Sequence, residues 1–380
     1  MDQTDKALTR SVVEVLPSKD GLAKLMAKKK IRLYLGVDPT GGRLHLGHSI
    51  PLRKLQEFAD LGHEAILVIG TGTVLAGDPS QRDSARPKIT QEQIDEHMKD
   101  WKGQVEKIID FNKVQIKQNG DWLLKLGLAD ILNIASNISA TQLFKREMFQ
   151  RRIDAGDTVW LHETLYPLLQ GYDSVAMDVD LEIGGTDQTF NMLIGRELQK
   201  KMNKREKFVL TTPLISGTNG KQMSKTTGNC IWLDDSPTDM YGKIMSIPDS
   251  LIEEYWKNLT DLDESELKNL KPLDAKKKLA GEIVRIYHGE EEAAKAQGSF
   301  EKTFQRREGP EEVEAVEVTQ GATLMDLLTQ IGDSKSEAKR LIEQGGIDID
   351  DKRAEDPNIQ LEDGQLVKIG KRKFVKIRIK

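Results

Sequence analysis

The stretch "IRLYLGVDPTGGRLHLGHSIPLRKLQEFADLG", Ile31 to Gly62, contains a strand pattern, a glycine-containing turn and a helix pattern in immediate succession. Apolar side chains alternate with others as far as Asp38, which predicts a strand, and Pro39 ends it. From Gly47 onward the apolar residues recur at helical spacing, which predicts an amphipathic helix. A strand, a turn and a helix in this order form the basic unit of an α/β sheet. We therefore expect a fold of this class.

Two further segments of the first 225 residues repeat this order. "EAILVIGTG" is a continuous apolar segment and "VDLEIGG" a mostly apolar one, and helix patterns follow both. Strands that alternate with helices indicate a parallel sheet with helices on both of its faces. We therefore predict a Rossmann-like, doubly wound α/β domain over residues 1–225.

The rest of the chain predicts two smaller domains. Residues 226–318 contain several helix patterns and run into an acidic, weakly apolar segment, "REGPEEVEAVEVTQG", which we interpret as a linker. Residues 319–380 contain two helix patterns and a terminal segment, "QLVKIGKRKFVKIRIK", that alternates like a strand. The predicted order is thus an α/β domain, an α-helical domain and a small α+β domain.

The composition excludes several classes of protein. The chain has 380 residues, of which 38% are hydrophobic and 31% charged, as in an ordinary soluble protein. Cys230 is the only cysteine, so neither an internal disulfide nor a cysteine zinc cluster can form, which fits a reducing cytoplasm. No apolar segment approaches the ~20 residues that span a bilayer, and the first residues lack the apolar core of a signal peptide. With a net charge of −5, any nucleic-acid contact must come from local basic patches.

His45 and His48 lie at the start of the helix predicted after the first strand, with Gly47 between them. Backbone N–H groups and the helix dipole attract anions there, and imidazole N–H groups can bond phosphate oxygens as charge builds up. This favours a nucleotide phosphate site. On the two residues alone, a surface or helix-capping role is the more common explanation. Zinc binding is disfavoured, because no third ligand has a suitable spacing.

These residues carry a resemblance to a known family. "PTGGRLHLGH" resembles the "HIGH" signature of class I aminoacyl-tRNA synthetases, with Leu46 in the isoleucine position. "LYLGVDPT" and the motifs below resemble the bacterial-type tyrosyl-tRNA synthetases over nearly the whole chain. The resemblance implies that tyrosine is activated with ATP to tyrosyl-adenylate and transferred to the terminal adenosine of tRNA(Tyr). It also implies a cytoplasmic homodimer that uses Mg²⁺ as a ligand of the ATP phosphates, and we expect no metal site built from protein side chains.

The resemblance also implies which residues hold tyrosine. Tyr166, Gln170 and Asp173 of "LYPLLQGYDS" share one face of a predicted helix, an arrangement that is more often merely solvent-exposed. In the family pattern, Asp173 and Tyr34 contact the substrate phenol, whereas Tyr166 and Gln170 hold its ammonium group. The implied tyrosine-binding residues are Tyr34, Asp78, Tyr166, Gln170, Asp173 and Gln188.

The nucleotide side of the resemblance rests on two glycine-containing motifs and one arginine-containing loop. "LEIGGTDQ" implies close approach of adenosine at Gly185 and ribose binding by Asp187, and "QMSKT" resembles the family's "KMSKS" loop, with Gln222 in place of its first lysine. The implied catalytic residues are His45, His48 and Lys225. The implied ATP-binding residues are Gly36, Asp38, Thr40, His45, His48, Gly185, Asp187 and Lys225. The implied pyrophosphate contacts in "AGDPSQRDSARP" are Arg82 and Arg86.

The C-terminal module resembles the small RNA-binding fold, called S4-like, that is shared with a ribosomal small-subunit protein, most clearly in "SKSEAKRLIEQGG". From Gly364 onward the chain has seven basic residues and no acidic ones, which favours contacts with RNA phosphates over a merely solvated surface. The tRNA-binding candidates are Lys335, Lys339, Arg340, Lys371, Arg372 and Lys373.

Two alternatives remain at this point. One is another class I adenylating enzyme, such as a tryptophan ligase or a small nucleotidyltransferase with an HxGH motif. The other is an RNA-binding protein without enzymatic activity on a synthetase scaffold, which only the altered "QMSKT" loop supports. The pairing of Tyr34 with Asp173 and the basic C-terminal module favour the tyrosine enzyme. The sequence leaves open the effect of Gln222, the tRNA identity elements and which terminal hydroxyl is acylated.

Overall fold

The computed structural model describes residues 2–78, 90–144, 147–225, 227–302, 314–331, 335–350, 352–370 and 373–380. They form two compact units, Met1–Ala293 and Ala294–Lys380. The division into domains at 225/226 and 318/319 stays a prediction. None of the described helices is both long and apolar enough to cross a membrane.

The first unit is built on a six-stranded sheet with the strand order β1-β6-β5-β2-β3-β4. Strand β1 pairs antiparallel with β6, whereas the other neighbours pair parallel. The chain passes outward from β2 through β3 to β4 and then returns to β5 on the other side, which confirms the predicted doubly wound sheet. The strands are β1 (Glu14–Leu16), β2 (Arg32–Val37), β3 (Glu64–Ile69), β4 (Val114–Gln118), β5 (Leu181–Gly185) and β6 (Phe208–Thr212).

Helices cover this sheet. The helix predicted from the opening stretch is confirmed as α3, and its residues Ile50, Leu55 and Phe58 are buried. Helices α10 and α11 pack so closely against each other that a Cβ on Gly171 would lie 3.1 Å from the backbone nitrogen of Gly195. The helices are α1 (Gln3–Ala7), α2 (Lys19–Lys28), α3 (Leu46–Asp60), α4 (Thr73–Ala76), α5 (Gln91–Val105), α6 (Gly120–Leu123), α7 (Leu128–Ala135), α8 (Ala140–Phe144), α9 (Glu147–Asp154), α10 (Leu161–Met177) and α11 (Thr189–Met202).

Beyond residue 235 the chain is helical as far as Phe300, as predicted. The core of this region contains Tyr241, Trp256 and Ile283, which are fully buried. Its helices are α12 (Pro237–Met245), α13 (Ile252–Leu259), α14 (Glu264–Leu267), α15 (Pro272–His288) and α16 (Glu290–Phe300). Two short 3₁₀ turns, Thr186–Gln188 and Asp249–Leu251, precede α11 and α13.

The second unit contains a five-stranded sheet with the strand order β7-β11-β10-β8-β9. Two helices accompany it, and buried Leu324, Leu327, Ile342 and Val367 belong to one apolar core. The strands are β7 (Glu314–Val318), β8 (Ile347–Ile349), β9 (Lys352–Arg353), β10 (Leu366–Ile369) and β11 (Lys373–Ile379), and the helices are α17 (Leu324–Gln330) and α18 (Lys335–Glu343).

Two predictions for this unit were wrong. The end of the segment interpreted as a linker is strand β7, which pairs parallel with β11 from Glu314 to Val318. The period-two pattern was hidden because only Val316 and Val318 have the apolar spacing of a strand face, with Glu317 between them. The terminal segment forms two antiparallel strands, β10 and β11, rather than one. Between them Gly370 has φ +63°, a conformation that favours glycine in a tight turn.

Candidate active site

A cavity of about 190 Å³ lies beyond the carboxyl ends of the central strands of the first sheet. It is smaller than the roughly 300–1,000 Å³ of sites for drug-sized ligands, which fits an occupant as small as one amino acid. Strands β2 and β5, at which the winding of the sheet reverses, both contribute residues to it. Its lining includes Gly36, Asp38, Thr40, His48, Val68, Asp78, Asn119, Tyr166, Gln170, Asp173, Glu182, Gly184, Gln188 and Met192.

Asp173 lies in this cavity on α10, almost completely buried. One carboxylate oxygen accepts a hydrogen bond of 3.0 Å from Asn119 Nδ2, and the other accepts one of 2.8 Å from Trp122 Nε1. Burial raises the pKa of Asp173 well above its usual value, although these two donors oppose the shift. Since each oxygen retains a free lone pair, the carboxylate can accept a further hydrogen bond from a ligand hydroxyl.

Tyr34 extends from the same face of β2 as Gly36 and Asp38 and is fully buried. Its hydroxyl lies 3.0 Å from Ser174 Oγ, on the residue next to Asp173. Burial raises the pKa of Tyr34 well above its usual value, and the negative charges of Glu182 and Asp173 add to the shift. Tyr34 is therefore protonated throughout the neutral range and has a proton to donate.

Tyr166 donates its hydroxyl proton to Asp38 Oδ2 at 2.9 Å, and Thr73 Oγ1 donates to Asp38 Oδ1 at 2.7 Å. A Cβ on Gly70 would lie only 1.9 Å from Asp38 Oδ1, so glycine is required where the Asp38 side chain packs against the end of β3. The two donors fix the carboxylate of Asp38 at the carboxyl end of the first parallel strand.

Gln170 and Gln188 are oriented by one shared neighbour. Asn191 Nδ2 donates to Gln170 Oε1 at 3.0 Å and to Gln188 Oε1 at 2.9 Å. In turn, Gln170 Nε2 donates to Glu182 Oε1 at 3.1 Å, and Gln188 Nε2 donates to Asp78 Oδ2 at 3.0 Å. Both amides are therefore held in place, and Gln188 lies beside the carboxylate of Asp78.

His45 is the N-cap of α3, and the two imidazole rings are in contact, with centroids 3.9 Å apart and planes tilted by 46°. His45 Nδ1 accepts the backbone N–H of Gly47 at 3.2 Å, and His48 Nδ1 accepts that of His45 at 3.1 Å. In both neutral rings the proton is therefore on Nε2. Burial lowers the pKa of His45 to about 3, and it lowers that of His48 as well. The pair thus presents two neutral N–H donors at a helix start.

Lys225 lies close to this pair. A Cβ on Gly41 would be 3.2 Å from Lys225 Nζ, and the charge of Lys225 contributes to the lowered pKa of both His45 and His48. The side chain itself is exposed. The loop that carries Lys225 and the turn that carries the histidines therefore converge, so one cation and two neutral donors face the same space.

Helix α5 holds the backbone of the turn between β2 and α3. Trp101 Nε1 donates to the carbonyl of Gly41 at 2.7 Å, and Gln104 Nε2 donates to that of Gly42 at 2.8 Å. Gln104 Oε1 also accepts the backbone N–H of Leu44 at 2.8 Å, immediately before His45. The position of the histidines is thus set by a helix that the sequence interpretation did not connect with them.

The structure brings most of the predicted site residues together. In addition to the residues described above, Gln188 Nε2 lies 3.0 Å from Asp187 Oδ2, and a Cβ on Gly185 would lie 2.4 Å from Asp187 Oδ1. Arg82 and Arg86 lie outside the described residues, as do Lys371 and Arg372. Of Lys335 and Lys373 only the backbone is described, in α18 and β11, and Lys339 and Arg340 are exposed on α18.

Sequence reasoning missed several members of the site. Asn119 and Trp122, the donors to Asp173, lie about 50 residues before it, and no local pattern connects them. Glu182 was detectable, because it is the only acidic residue in the apolar strand β5 and shares the face of Gly184. Among the described residues, no group of three or more His, Cys, Asp or Glu side chains could hold a metal ion.

This fold is that of a class I tRNA synthetase. The family model described as tRNA synthetases class I (W and Y) matches residues 26–305, and a model of the S4 domain matches residues 329–367. Because the first match covers well over half of the chain, the chain belongs to this family, and its second unit contains an S4 domain.

Within the family, full-length relatives narrow the assignment. The chain is 45% identical to the tyrosine–tRNA ligase of Thermotoga maritima, over 98% of this chain and 96% of that protein. It is 39% identical to the tyrosine–tRNA ligase of Aquifex aeolicus, over 98% of this chain and 97% of that one. The chain therefore belongs to the tyrosine–tRNA ligases.

Solved structures agree in fold. The mitochondrial tyrosyl-tRNA synthetase of Aspergillus nidulans, truncated at its C-terminus, superposes with a TM-score of 0.68 at 23% identity, over 80% of this chain and 94% of that one. The tyrosyl-tRNA synthetase of Archaeoglobus fulgidus in complex with L-tyrosine superposes with a TM-score of 0.63, also at 23% identity, over 78% of this chain and all of that one.

Proposed function

We propose that the cavity binds tyrosine with its phenol toward Asp173 and activates it with ATP to tyrosyl-adenylate. The observation that carries this proposal is the buried carboxylate of Asp173, oriented by Asn119 and Trp122 in a cavity that His48 also lines. A buried acceptor that a phenylalanine ring would leave unpaired disfavours that ring, an effect for which this enzyme family is the usual example.

The amino group of tyrosine is assigned to the opposite side of the cavity. Asp78 supplies a carboxylate, and Tyr166 and Gln170 supply oxygens, and all three residues line the cavity. Gln188 is held against Asp78 and helps to position the amino acid. This leaves the carboxylate of tyrosine directed toward the mouth, where it attacks the α-phosphate.

ATP is assigned to the mouth of the cavity. Gly36, Asp38, Thr40 and Gly185 provide close approach and polar contacts along the carboxyl ends of the strands, and Asp187 holds the ribose. His45 and His48 donate Nε2–H bonds to phosphate oxygens, while Lys225 neutralises the departing pyrophosphate together with Arg82 and Arg86. Positioning and charge stabilisation supply the catalysis, so no covalent enzyme intermediate is needed. ATP enters as its Mg²⁺ complex.

A hydroxyl of the terminal adenosine of tRNA(Tyr) then attacks the carbonyl of the adenylate. The S4 domain offers exposed basic side chains for this RNA, with Lys339 and Arg340 on α18, and Lys376 and Arg378 on β11. Lys335, Lys371, Arg372 and Lys373 complete the proposed tRNA-binding set. These contacts bind phosphates and RNA shape rather than duplex sequence.

A cytoplasmic homodimer is the proposed assembly. Large apolar side chains are exposed on two neighbouring helices of the first unit, with Leu128 74% exposed and Leu132 60% exposed on α7, and Leu161 77% exposed at the start of α10. Trp160 beside them is 55% exposed. Contiguous exposed apolar surface of this kind is typical of protein–protein contacts. The single cysteine fits a reducing compartment.

Amino-acid-dependent pyrophosphate exchange tests the proposal. We expect exchange with tyrosine, none above background with tryptophan, and aminoacylation of tRNA when total tRNA is added. Exchange that tryptophan drives and tyrosine does not would refute the assignment of the cavity. A folded protein without either activity would favour an RNA-binding role on a synthetase scaffold.

A further inference from the structure

A buried ion pair lies directly behind the tyrosine site. Lys207, immediately before β6, and Glu182 of β5 contact each other, and both are at most 2% exposed. Lys207 Nζ also donates to Ser174 Oγ at 2.8 Å, and Ser174 is fully buried on α10. A lysine in the charged segment before β6 would ordinarily extend into solvent.

Two glycines make room for this lysine. A Cβ on Gly195 would lie 2.6 Å from Lys207 Nζ and 2.9 Å from Ser174 Oγ, and it would also contact Gly171 of the facing helix. The ammonium group therefore occupies the point at which α10 and α11 approach most closely. Burying two charges costs desolvation energy that their attraction rarely exceeds, so stability alone is a weak explanation for the pair.

The pair connects the two halves of the tyrosine site. Glu182 lines the cavity and accepts the hydrogen bond from Gln170, on the ammonium side. Ser174, which Lys207 holds, bonds to the hydroxyl of Tyr34, on the phenol side. The charge of Glu182 also helps to raise the pKa of Tyr34 and thereby keeps its proton in place.

We propose that Lys207, Glu182 and Ser174 are positioning residues that set the preference for tyrosine over phenylalanine, acting through Tyr34 and Gln170. This inference rests on the proposed function of the cavity. A serine oxygen accepts two hydrogen bonds and donates one. Because Lys207 occupies one acceptor position of Ser174, Tyr34 can turn its proton to the substrate phenol while Ser174 stays paired. Phenylalanine offers no oxygen for that proton and gains nothing from the network.

The test compares two variants of the full-length protein. In S174A the ion pair stays in place, and in the double variant K207M/E182Q both charges are removed together, so that neither is left buried alone. For each, kcat and KM are measured in pyrophosphate exchange with tyrosine and, at high concentration, with phenylalanine. We expect the ratio of the two kcat/KM values to fall roughly 5-fold in S174A and roughly 30-fold in the double variant, mainly through the KM for tyrosine.

A matched control comes from another buried lysine. Lys54 on α3 is 1% exposed and pairs at 2.5 Å with Glu57, which is 30% exposed, so K54M/E57Q removes a buried lysine and its partner outside the cavity lining. Its tyrosine-to-phenylalanine ratio should stay unchanged. If S174A lost the same factor in kcat/KM with both amino acids, the network would have only a structural role and the inference would be overturned. This result would decide the question even if the double variant failed to fold. If the unaltered protein showed no tyrosine-dependent exchange, the proposed function itself would fail instead.

Discussion

The proposed amino-acid end of the site and its proposed nucleotide end are built differently. At the amino-acid end, Asp173, Tyr34 and Ser174 are at most 2% exposed, and each has hydrogen-bond partners on neighbouring helices or strands. At the nucleotide end, His45 caps a helix at the surface of the sheet, and Lys225 is an exposed side chain on a loop. One end is fixed before the substrate arrives, and the other presents donors from a turn and a loop.

This difference matches the two tasks of a synthetase. Selecting tyrosine requires a buried acceptor whose position is fixed, because the penalty for an unpaired group is what rejects the wrong side chain. Stabilising the transition state at phosphorus requires positive charge and N–H donors close to the phosphate oxygens on which negative charge builds up. A loop can provide such groups. We therefore expect changes at the first end to alter KM and specificity, and changes at the second end to alter kcat.

Asp173→Asn should have the largest effect. The amide keeps the shape, but its NH₂ group opposes the donors Asn119 and Trp122 and cannot accept the phenol proton as the carboxylate does. We expect kcat/KM for tyrosine to fall roughly 10²–10³-fold, mostly in KM, with little change for phenylalanine. Pyrophosphate exchange measures both. As a control, Asp121→Asn on the exposed side of α6 should behave like the unaltered protein. An unchanged KM for tyrosine in D173N would contradict the role assigned to the amino-acid end.

Lys225→Met should lower kcat for exchange about 10²-fold, the usual cost of removing one group that stabilises transition-state charge. The KM for tyrosine should stay within about twofold, because Lys225 faces the histidines rather than the amino-acid end. Lys221→Met in the same loop is the matched control, since Lys221 is exposed and lies before Gln222. A K225M protein that lost tyrosine affinity and kept its kcat would reverse the roles of the two ends.

Lys339→Glu/Arg340→Glu should separate adenylate formation from transfer. We expect kcat/KM for aminoacylation to fall roughly tenfold and its salt dependence to weaken, because two phosphate contacts on α18 are lost. Pyrophosphate exchange should be unaffected. Lys24→Glu/Lys28→Glu on α2 makes the same charge change on exposed residues of the first unit and should leave both reactions intact. Equal aminoacylation by the two double variants would contradict the assignment of the S4 surface.

The smallest effect concerns pH and stability. The pKa of His45 is about 3 in the folded protein, below its value of roughly 6.5 in an unfolded chain. The unfolded state therefore binds a proton between these values and the folded state does not, so the free energy of unfolding falls as the pH drops below about 6.5. Between pH 7 and pH 5, the free energy of unfolding measured with urea should decrease less for His45→Asn than for the unaltered protein. His162→Asn, at an exposed position, is the control variant. If the free energy of unfolding decreased equally in the two variants, the pKa of His45 would not be lowered by folding.

Much of the fold follows from the sequence, because periodicity reports burial directly. The strand and helix of Ile31 to Gly62 are present, and the spacing of Tyr166, Gln170 and Asp173 places all three side chains in the cavity. Strand β7 was missed because only Val316 and Val318 stand at period-two apolar spacing, with Glu317 between them. A pattern that short is easily taken for a charged linker.

The buried residues next to the tyrosine site could not be predicted from local sequence patterns. Lys207 belongs to a segment with five basic residues, "KKMNKREK", which is typical of a solvated surface. It is buried because Gly171 and Gly195 bring two helices together and leave room for its ammonium group. A contact that depends on three separate elements, namely α10, β5 and the segment before β6, has no local signature.

A crystal structure of the protein grown with tyrosine would show how the cavity holds its substrate. We expect the phenol oxygen to lie within roughly 2.6–2.9 Å of a carboxylate oxygen of Asp173, and the ammonium group to lie beside Asp78. The hydroxyl of Tyr34 should have turned from Ser174 toward the ligand. A tyrosine bound with its phenol elsewhere, or a fully occupied site in which Asp173 contacts only Asn119 and Trp122, would contradict this expectation.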